Sequence, residues 1–209
     1  MKFYDCAPAP SPRRVRMFIV EKKLDIPVVE VDLGSRQQHT EEFARLNPYR
    51  TVPVLELGDS TVLTSSQAIC RYLEEIHPEL PLMGSNPAER GHIADLDWRI
   101  EQEGFLAVGE SFRNRSKSFS KNAVTGKHEH AQIPELVERG RARASQFMEW
   151  LENQLVNKEF VAGEQFSVAD ITAFITIDFA RWIKLEAPAE YKNLNRWFAA
   201  VSERDSAKA

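Results

Sequence analysis

Over the first 80 residues, apolar positions switch between the two-residue period of strands and the helical period. "KFYDC" (2–6) reads as a strand. "SPRRVRMFIVEKK" (11–23) reads as a helix, with Ser11 as cap, Pro12 at the first helical position, and Val15, Phe18 and Ile19 on one face. "VVEVDL" (28–33) is a second strand and "EEFARLN" a short helix closed by Pro48. "VPVLEL" and "TVLT" flank Gly58-Asp59-Ser60, a hairpin signal. "SSQAICRYLEE" (65–75) follows, where Ala68, Ile69, Tyr72, Leu73 and Ile76 form one apolar stripe. Ser65 or Ser66 supplies its N-cap, which leaves the other serine without an evident task. The order predicts a βαβ unit, a short helix and a ββα unit around a small mixed sheet of four strands.

Beyond residue 77 the pattern changes. "HPELPLMGSNPAERG" carries three prolines, two glycines and no sustained period, and reads as a linker. All that follows reads as helix: one from about Ala88 past Trp98 and Phe105, then "ELVERGRARASQFMEWLENQL", "SVADITAFITIDFARW" and "LNRWFAAVSER". Between the first two, the polar "RSKSFSKNAVTGKHEHAQ" reads as a mobile connection. The expected organisation is an α/β domain over 1–77, a linker over 78–87 and an all-α domain over 88–209.

Composition narrows the classes. A net charge of −4 lacks the basic surplus of a nucleic-acid binder, so no nucleic-acid partner is expected. No stretch approaches the roughly 18 apolar residues of a membrane span, and "MKFYDCAPAP" has no apolar core of a secretory signal. Cys6 and Cys70 cannot make a disulfide framework of the secreted kind. The expectation is a soluble cytoplasmic protein without a membrane partner. His128 and His130 lack further ligands at metal spacing, so no metal is expected.

The motifs "NPYRTVPVLELGDSTVLTSSQAICRYLEE" (47–75) and "VAGEQFSVADI" (161–171) resemble those of the cytosolic glutathione transferases, in a theta- or nu-like bacterial form. The resemblance covers nearly the whole chain. It implies a thioredoxin-like N-terminal domain followed by the helical one, glutathione as co-substrate, a small hydrophobic electrophile as second substrate, and a homodimer. It further implies that Val52-Pro53 is a cis peptide, leaving the Val52 backbone free to pair with the cysteinyl backbone of glutathione like an added strand. By the same resemblance Ser66, helped by Gln67, holds the γ-glutamyl carboxylate at a helix N-terminus, where unpaired N–H groups and the dipole favour an anion. Most relatives carry an acid immediately before that serine. Here it is Ser65, so the glutathione ammonium loses that partner or finds one on the other subunit. His39, with Gln38, matches the loop that holds the glycyl carboxylate, and Arg50 adds charge at that end.

The thiol of glutathione attacks as thiolate, and its unperturbed pKa is about 8.5. Lowering it by about two units takes roughly 2.7 kcal/mol. One charge-assisted hydrogen bond supplies about 1.5–3 kcal/mol and a helix N-terminus up to about 1. One hydroxyl at the first helix therefore suffices, and Tyr4, Cys6 and Ser11 are the choices. Aligned on that helix, the redox relatives carry their cysteine, and the theta and zeta types their serine, where this chain has Ala9; Pro12 occupies the resolving-cysteine position. "A-P-x-P-x-x" is similar to the nu-class and fungal prion-domain relatives, which place an asparagine where Ser11 stands. Ser11 is thus the catalytic candidate, as thiolate donor, N-cap or both. Cys6 is the alternative, and Tyr4 reads as core.

In the helical domain, Ser167-Val-Ala-Asp170 is a capping box with a structural task. Trp98, Glu101, Phe105, Val108 and Phe112 are candidates to line the electrophile pocket. Three functions follow: a glutathione transferase that also reduces peroxides, a glutathione-dependent disulfide reductase of nu-class type, and a non-catalytic binding or regulatory relative.

Overall fold

The computed structural model describes residues 1–209. They form two compact units: Met1–Leu80 with Val124–His128 and Ala209, and Pro81–Ala123 with Glu129–Lys208. In the first, β1 (Lys2–Asp5), α1 (Pro10–Glu21), β2 (Val28–Glu30), α2 (Glu41–Leu46), β3 (Val54–Glu56), β4 (Val62–Leu63) and α3 (Ser66–Ile76) follow in order. The sheet order is β2-β1-β3-β4, with β1 parallel to β2 and antiparallel to β3, and β3 antiparallel to β4. This is the mixed sheet expected of a thioredoxin-like domain.

Alternation along β1 sends neighbouring side chains to opposite faces. Tyr4 joins Val31, Phe43, Val54, Leu33 and Leu46 in the core beneath α2. Phe3, fully buried, faces the other way. On α1, Val15, Phe18 and Ile19 are buried together with Met17 and Arg14, and on α3 the apolar buried residues are Ile69, Cys70 and Leu73. Ala68 and Ile76, expected in that stripe, face solvent, and Tyr72 is half-buried. The ends of the two helices are fastened by Lys22, whose buried ammonium pairs with Glu74 and donates to the carbonyls of His77 (2.8 Å) and Glu79 (3.2 Å). A buried cation needs this full set of partners.

The second unit holds α4 (Pro87–Arg99), a π-helical turn (Ile100–Phe105), α5 (Leu106–Arg115), α6 (Glu135–Gln154), α7 (Val168–Ala180) and α8 (Lys192–Ser202). Asn86 caps α4, its Oδ1 accepting from Ala88 and Glu89 at 3.0 Å, with Pro87 at the first position. α7 is buried all round except at Asp178. Its capping box centres on Asp170, whose carboxylate accepts from the N–H groups of Val161 (2.9 Å) and Ser167 (3.0 Å), the Ser167 hydroxyl (3.0 Å) and Trp197 Nε1 (2.8 Å). Burial pushes its carboxyl up to about 6, against the pull of those donors.

The segment expected to be mobile is pinned. The Arg113 guanidinium donates to the carbonyls of Asn122 and Ala123 and lies 4.3 Å from the centroid of the Phe119 ring. Gln132 donates to the carbonyls of Arg113 and Ser116, both at 2.7 Å, and Asn114 Oδ1 accepts from Ile133 N–H at 2.8 Å. These side chains satisfy backbone groups that a polar loop would otherwise leave to water.

α6 meets α5 at its closest at Gly140, where a Cβ would lie 2.6 Å from the Ala107 carbonyl oxygen and 2.7 Å from Ser111 N. Gly140→Ala should therefore destabilise the protein. The intrinsic gain of alanine in a helix is about 0.5–1 kcal/mol, whereas overpacking against rigid backbone costs about 1–3. Urea unfolding of the two proteins measures the sign; a more stable variant would mean that the helices separate freely.

Candidate functional site

The candidate residues lie at the start of α1, the start of α3 and the loop before β3. α1 begins earlier than the sequence implied. Ala9, extended (φ −81°, ψ 132°), is its N-cap, and Pro10 takes the first turn. The residue before a proline is disfavoured in the helical region, and the boundary falls at Ala9 before Pro10, although Ser11 before Pro12 is helical. Ser11 is consequently inside the first turn and does not cap it, which corrects the expectation of a Ser11 cap followed by Pro12. Pro10 and Pro12 carry no N–H, and Arg13 N–H already bonds the Ala9 carbonyl at 3.3 Å. The donors left open at this helix end are the N–H and hydroxyl of Ser11, which is half-buried.

The loop that carries Ser11 is held from both sides. Arg16 Nη1 spans the two Asp5 oxygens at 2.6 and 2.8 Å, and its Nη2 donates to the Ala7 carbonyl at 2.8 Å. Asp5 also accepts from Cys6 N–H at 2.7 Å, and Glu30 from Ala7 N–H at 3.0 Å. Cys6 is buried (3% exposed), and burial pushes its thiol up, so it stays a protonated core thiol. Tyr4 donates to Glu56 at 2.9 Å from within the core, and its phenol is raised by burial and by that carboxylate.

At α3 the two serines divide their tasks. Ser65 is the N-cap, its hydroxyl accepting from Ala68 N–H at 3.2 Å. Ser66, buried, donates its hydroxyl to the Ser11 carbonyl at 2.9 Å. The second serine thus fastens the start of α3 to the start of α1. The N–H groups of Ser66 and Gln67 take no acceptor within the chain, and the Gln67 side chain is exposed.

Val52-Pro53 is cis. Neither the N–H nor the C=O of Val52 has a hydrogen bond within the chain. Asn47, fully buried, shapes the loop by donating to the Thr51 carbonyl (2.7 Å) and accepting from Tyr49 N–H (2.9 Å). Arg50 sits there in the left-handed region (φ 57°). His39 closes the short turn Gln37–His39, and burial, Arg36 and Arg50 together hold its imidazole below the usual value. Arg36 and Arg50 thus form a positive cluster around His39, and the buried Oε1 of Gln38 beside it has no partner. The structure joins Ser11 directly to Ser66, and His39 electrostatically to Arg50. No hydrogen bond links the two groups. The sequence reading missed Arg36 in this cluster and the lone N–H of Ser11; Pro10 and Pro12 were the signal for the latter.

The five pocket candidates of the second unit do not share an environment. Trp98 is 60% exposed, whereas Phe105 and Val108 are buried in the core. The π-helical turn between them explains the split, because the extra residue it accommodates rotates the following face by about 100°. Glu101 is half-buried. Phe112 is half-buried in an aromatic cluster with Phe119, Phe179 and Trp182 at ring separations of 5.1–5.6 Å. No three His, Cys, Asp or Glu side chains converge as a metal site, and no helix is long and apolar enough to cross a membrane.

Comparison with known proteins agrees over both units. The family model "Glutathione S-transferase, N-terminal domain" matches residues 9–76, and "Glutathione S-transferase, C-terminal domain" matches 101–205. "Glutathione S-transferase 2" of Saccharomyces cerevisiae is 31% identical over 210 residues, covering 100% of this chain and 88% of the relative. "Disulfide-bond oxidoreductase YfcG" of Escherichia coli is 26% identical over 205 residues, covering 95% and 88%. A solved glutathione S-transferase domain-containing protein from Marinobacter aquaeolei VT8 superposes with a TM-score of 0.91 at 35% identity, covering 99% of each chain.

Proposed function

The chain belongs to the glutathione S-transferase family, and from that premise we propose how its own residues hold glutathione and activate the thiol. The reaction is transfer of the glutathione thiolate to an electrophile, taken here as a small hydrophobic molecule. One observation carries the assignment of roles. Two helix N-termini are tied side by side by the Ser66–Ser11 hydrogen bond, one with open N–H groups and the other with a single open donor pair.

The Ser66 and Gln67 N–H groups receive the γ-glutamyl carboxylate at the positive end of α3. The Val52 N–H and C=O pair with the cysteinyl unit as an added strand, next to Pro53. His39 and Arg50, with Gln38 beside them, meet the glycyl carboxylate. Ser65 keeps its cap. The thiolate then rests against the N–H and hydroxyl of Ser11, where a charge-assisted bond of about 1.5–3 kcal/mol, with up to about 1 from the helix end, covers a shift of about two pKa units. The pair reacts by nucleophilic attack of sulfur on the electrophilic centre, whose leaving group departs with the bonding electrons.

The disulfide-reductase reading uses the same thiolate against a disulfide sulfur. The E. coli oxidoreductase relative supports it, and so does Ala9, since a glutathione thiolate needs no protein cysteine. Assays with an aryl halide, an organic hydroperoxide and a mixed glutathione disulfide, run side by side, decide between acceptors. A chain that binds glutathione and turns over none of them would instead be a binding protein.

Ser66→Ala should weaken glutathione by only about 1 kcal/mol, read by calorimetry. The hydroxyl stays on the Ser11 carbonyl, so the variant loses only that neutral hydrogen bond, worth about 1 kcal/mol, and the fixed placing of the two helix starts that goes with it. A loss far above that would mean that the hydroxyl itself reaches the carboxylate.

Ser11→Ala should raise the pKa of the bound thiol by about one unit, lower turnover at neutral pH and regain part of it in alkali, where the thiolate forms unaided. Since Ser11 is not the cap, thermal stability should barely change. An unmoved thiol pKa in ultraviolet titration assigns the task to the Ser11 N–H alone.

We further propose a cytoplasmic homodimer. Tyr49 and Trp98 support it, 64% and 60% exposed, as large apolar side chains that a partner would cover. Sedimentation equilibrium at micromolar concentration should give twice the 23.9 kDa chain mass; a monomer would refute it.

A further inference from the structure

A cleft lies wholly within the helical unit, with a volume of about 330 Å³, between the end of α5, the first turns of α6 and the turn after α7. Its lining is Ser111, Arg115, Val137, Glu138, Arg141, Ile183 and Lys184. Three cations face one carboxylate there, although the whole chain carries a net charge of −4. None of the residues assigned to glutathione contributes.

The charges are prepared in different ways. Arg141 is fixed, with Nη1 donating to the Ile183 carbonyl at 2.6 Å and Nη2 to that of Lys184 at 3.1 Å. Three of its five N–H donors remain. Lys184 is held in the left-handed region (φ 57°), which turns the chain at the rim of the cleft. Neither its ammonium nor the Arg115 guanidinium has an ion-pair partner in the chain, and both residues are exposed. The neighbouring Arg139, by contrast, is neutralised by Glu110 at 2.7 Å. Ser111 is 1% exposed, yet its hydroxyl makes no hydrogen bond within the chain. Buried hydroxyls normally find a partner, and Thr176 on α7 does so through the Thr172 carbonyl at 2.7 Å. A hydroxyl with no partner in the chain thus lines a cleft beside two unpaired cations, where a ligand can reach all three.

We propose that this cleft binds a small organic carboxylate, apart from the thiol site. Arg115 and Lys184 meet the carboxylate, Ser111 donates to it, and Val137 and Ile183 take the apolar arm. Glu138 stands at the same wall and excludes multiply charged anions by repulsion. The volume is at the small end of ligand sites, which run from about 300 to 1,000 Å³, so a peptide or a polynucleotide does not fit.

The test uses the full chain and 3-phenylpropionate as probe, with binding followed by calorimetry at low salt. Saturable binding at millimolar or lower concentration is expected, weakened about tenfold in Arg115→Ala and in Lys184→Ala. Both positions are exposed and unpaired, so folding should be unaffected, and glutathione affinity measured on the same samples should not change. The proposal is overturned if the probe does not saturate, if both variants bind it as the parent does, or if inorganic phosphate binds equally tightly.

Discussion

The glutathione unit is organised by a hydrogen bond between two helix starts. Ser66 on α3 reaches the carbonyl of Ser11 on α1, and both sit at the positive ends of their helices. Helix dipoles aligned this way repel, so the arrangement needs a fastening. Lys22 supplies a second one at the opposite ends, through Glu74 and the carbonyls of His77 and Glu79. With both ends tied, the open donors of α1 and α3 keep a fixed separation, which is what the proposed binding of a tripeptide with a thiol in its middle and a carboxylate at each end requires.

The helical unit depends on a different device. Asp170 gathers donors from the Val161 strand-like turn, the Ser167 cap and Trp197 on α8. α8 is tied independently to α6, where Glu152 accepts from Asn193 and Leu194. A carboxylate with so many donors is held in one orientation, and α7, apolar almost all round, would otherwise have no preferred rotation within its shell.

Much of this was legible in the chain because it rests on local chemistry. The hairpin at Gly58-Asp59-Ser60, the cap at Ser167 and the run of buried residues in α7 follow from spacing and turn chemistry alone. The cis bond at Val52 came only through family resemblance, since nothing local distinguishes it. Other features escaped for definite reasons. With two prolines near α1, Ser11-Pro12 and Ala9-Pro10 are equally good boundaries by rule, so the chain alone does not choose between them. The π-helical turn defeats any single helical period, so Trp98 and Phe105 could not be ranked by burial from spacing. The cleft beside Arg115 draws on three elements far apart in sequence, and no motif gathers them.

The prolines at the start of α1 also bear on discrimination among anions. Most helix N-termini present several N–H groups at once, a fan suited to the spread oxygens of phosphate or sulfate. Here Pro10 and Pro12 silence their positions and Arg13 is already bonded, so the fan narrows to one residue. A polyoxygen anion arriving there would leave most of its lone pairs unsatisfied in a half-buried place. A single sulfur atom asks for little more than one or two donors. By omitting amides rather than adding side chains, the chain makes this helix end a poor phosphate site and, on the assignment proposed for Ser11, a fitting seat for a single sulfur atom.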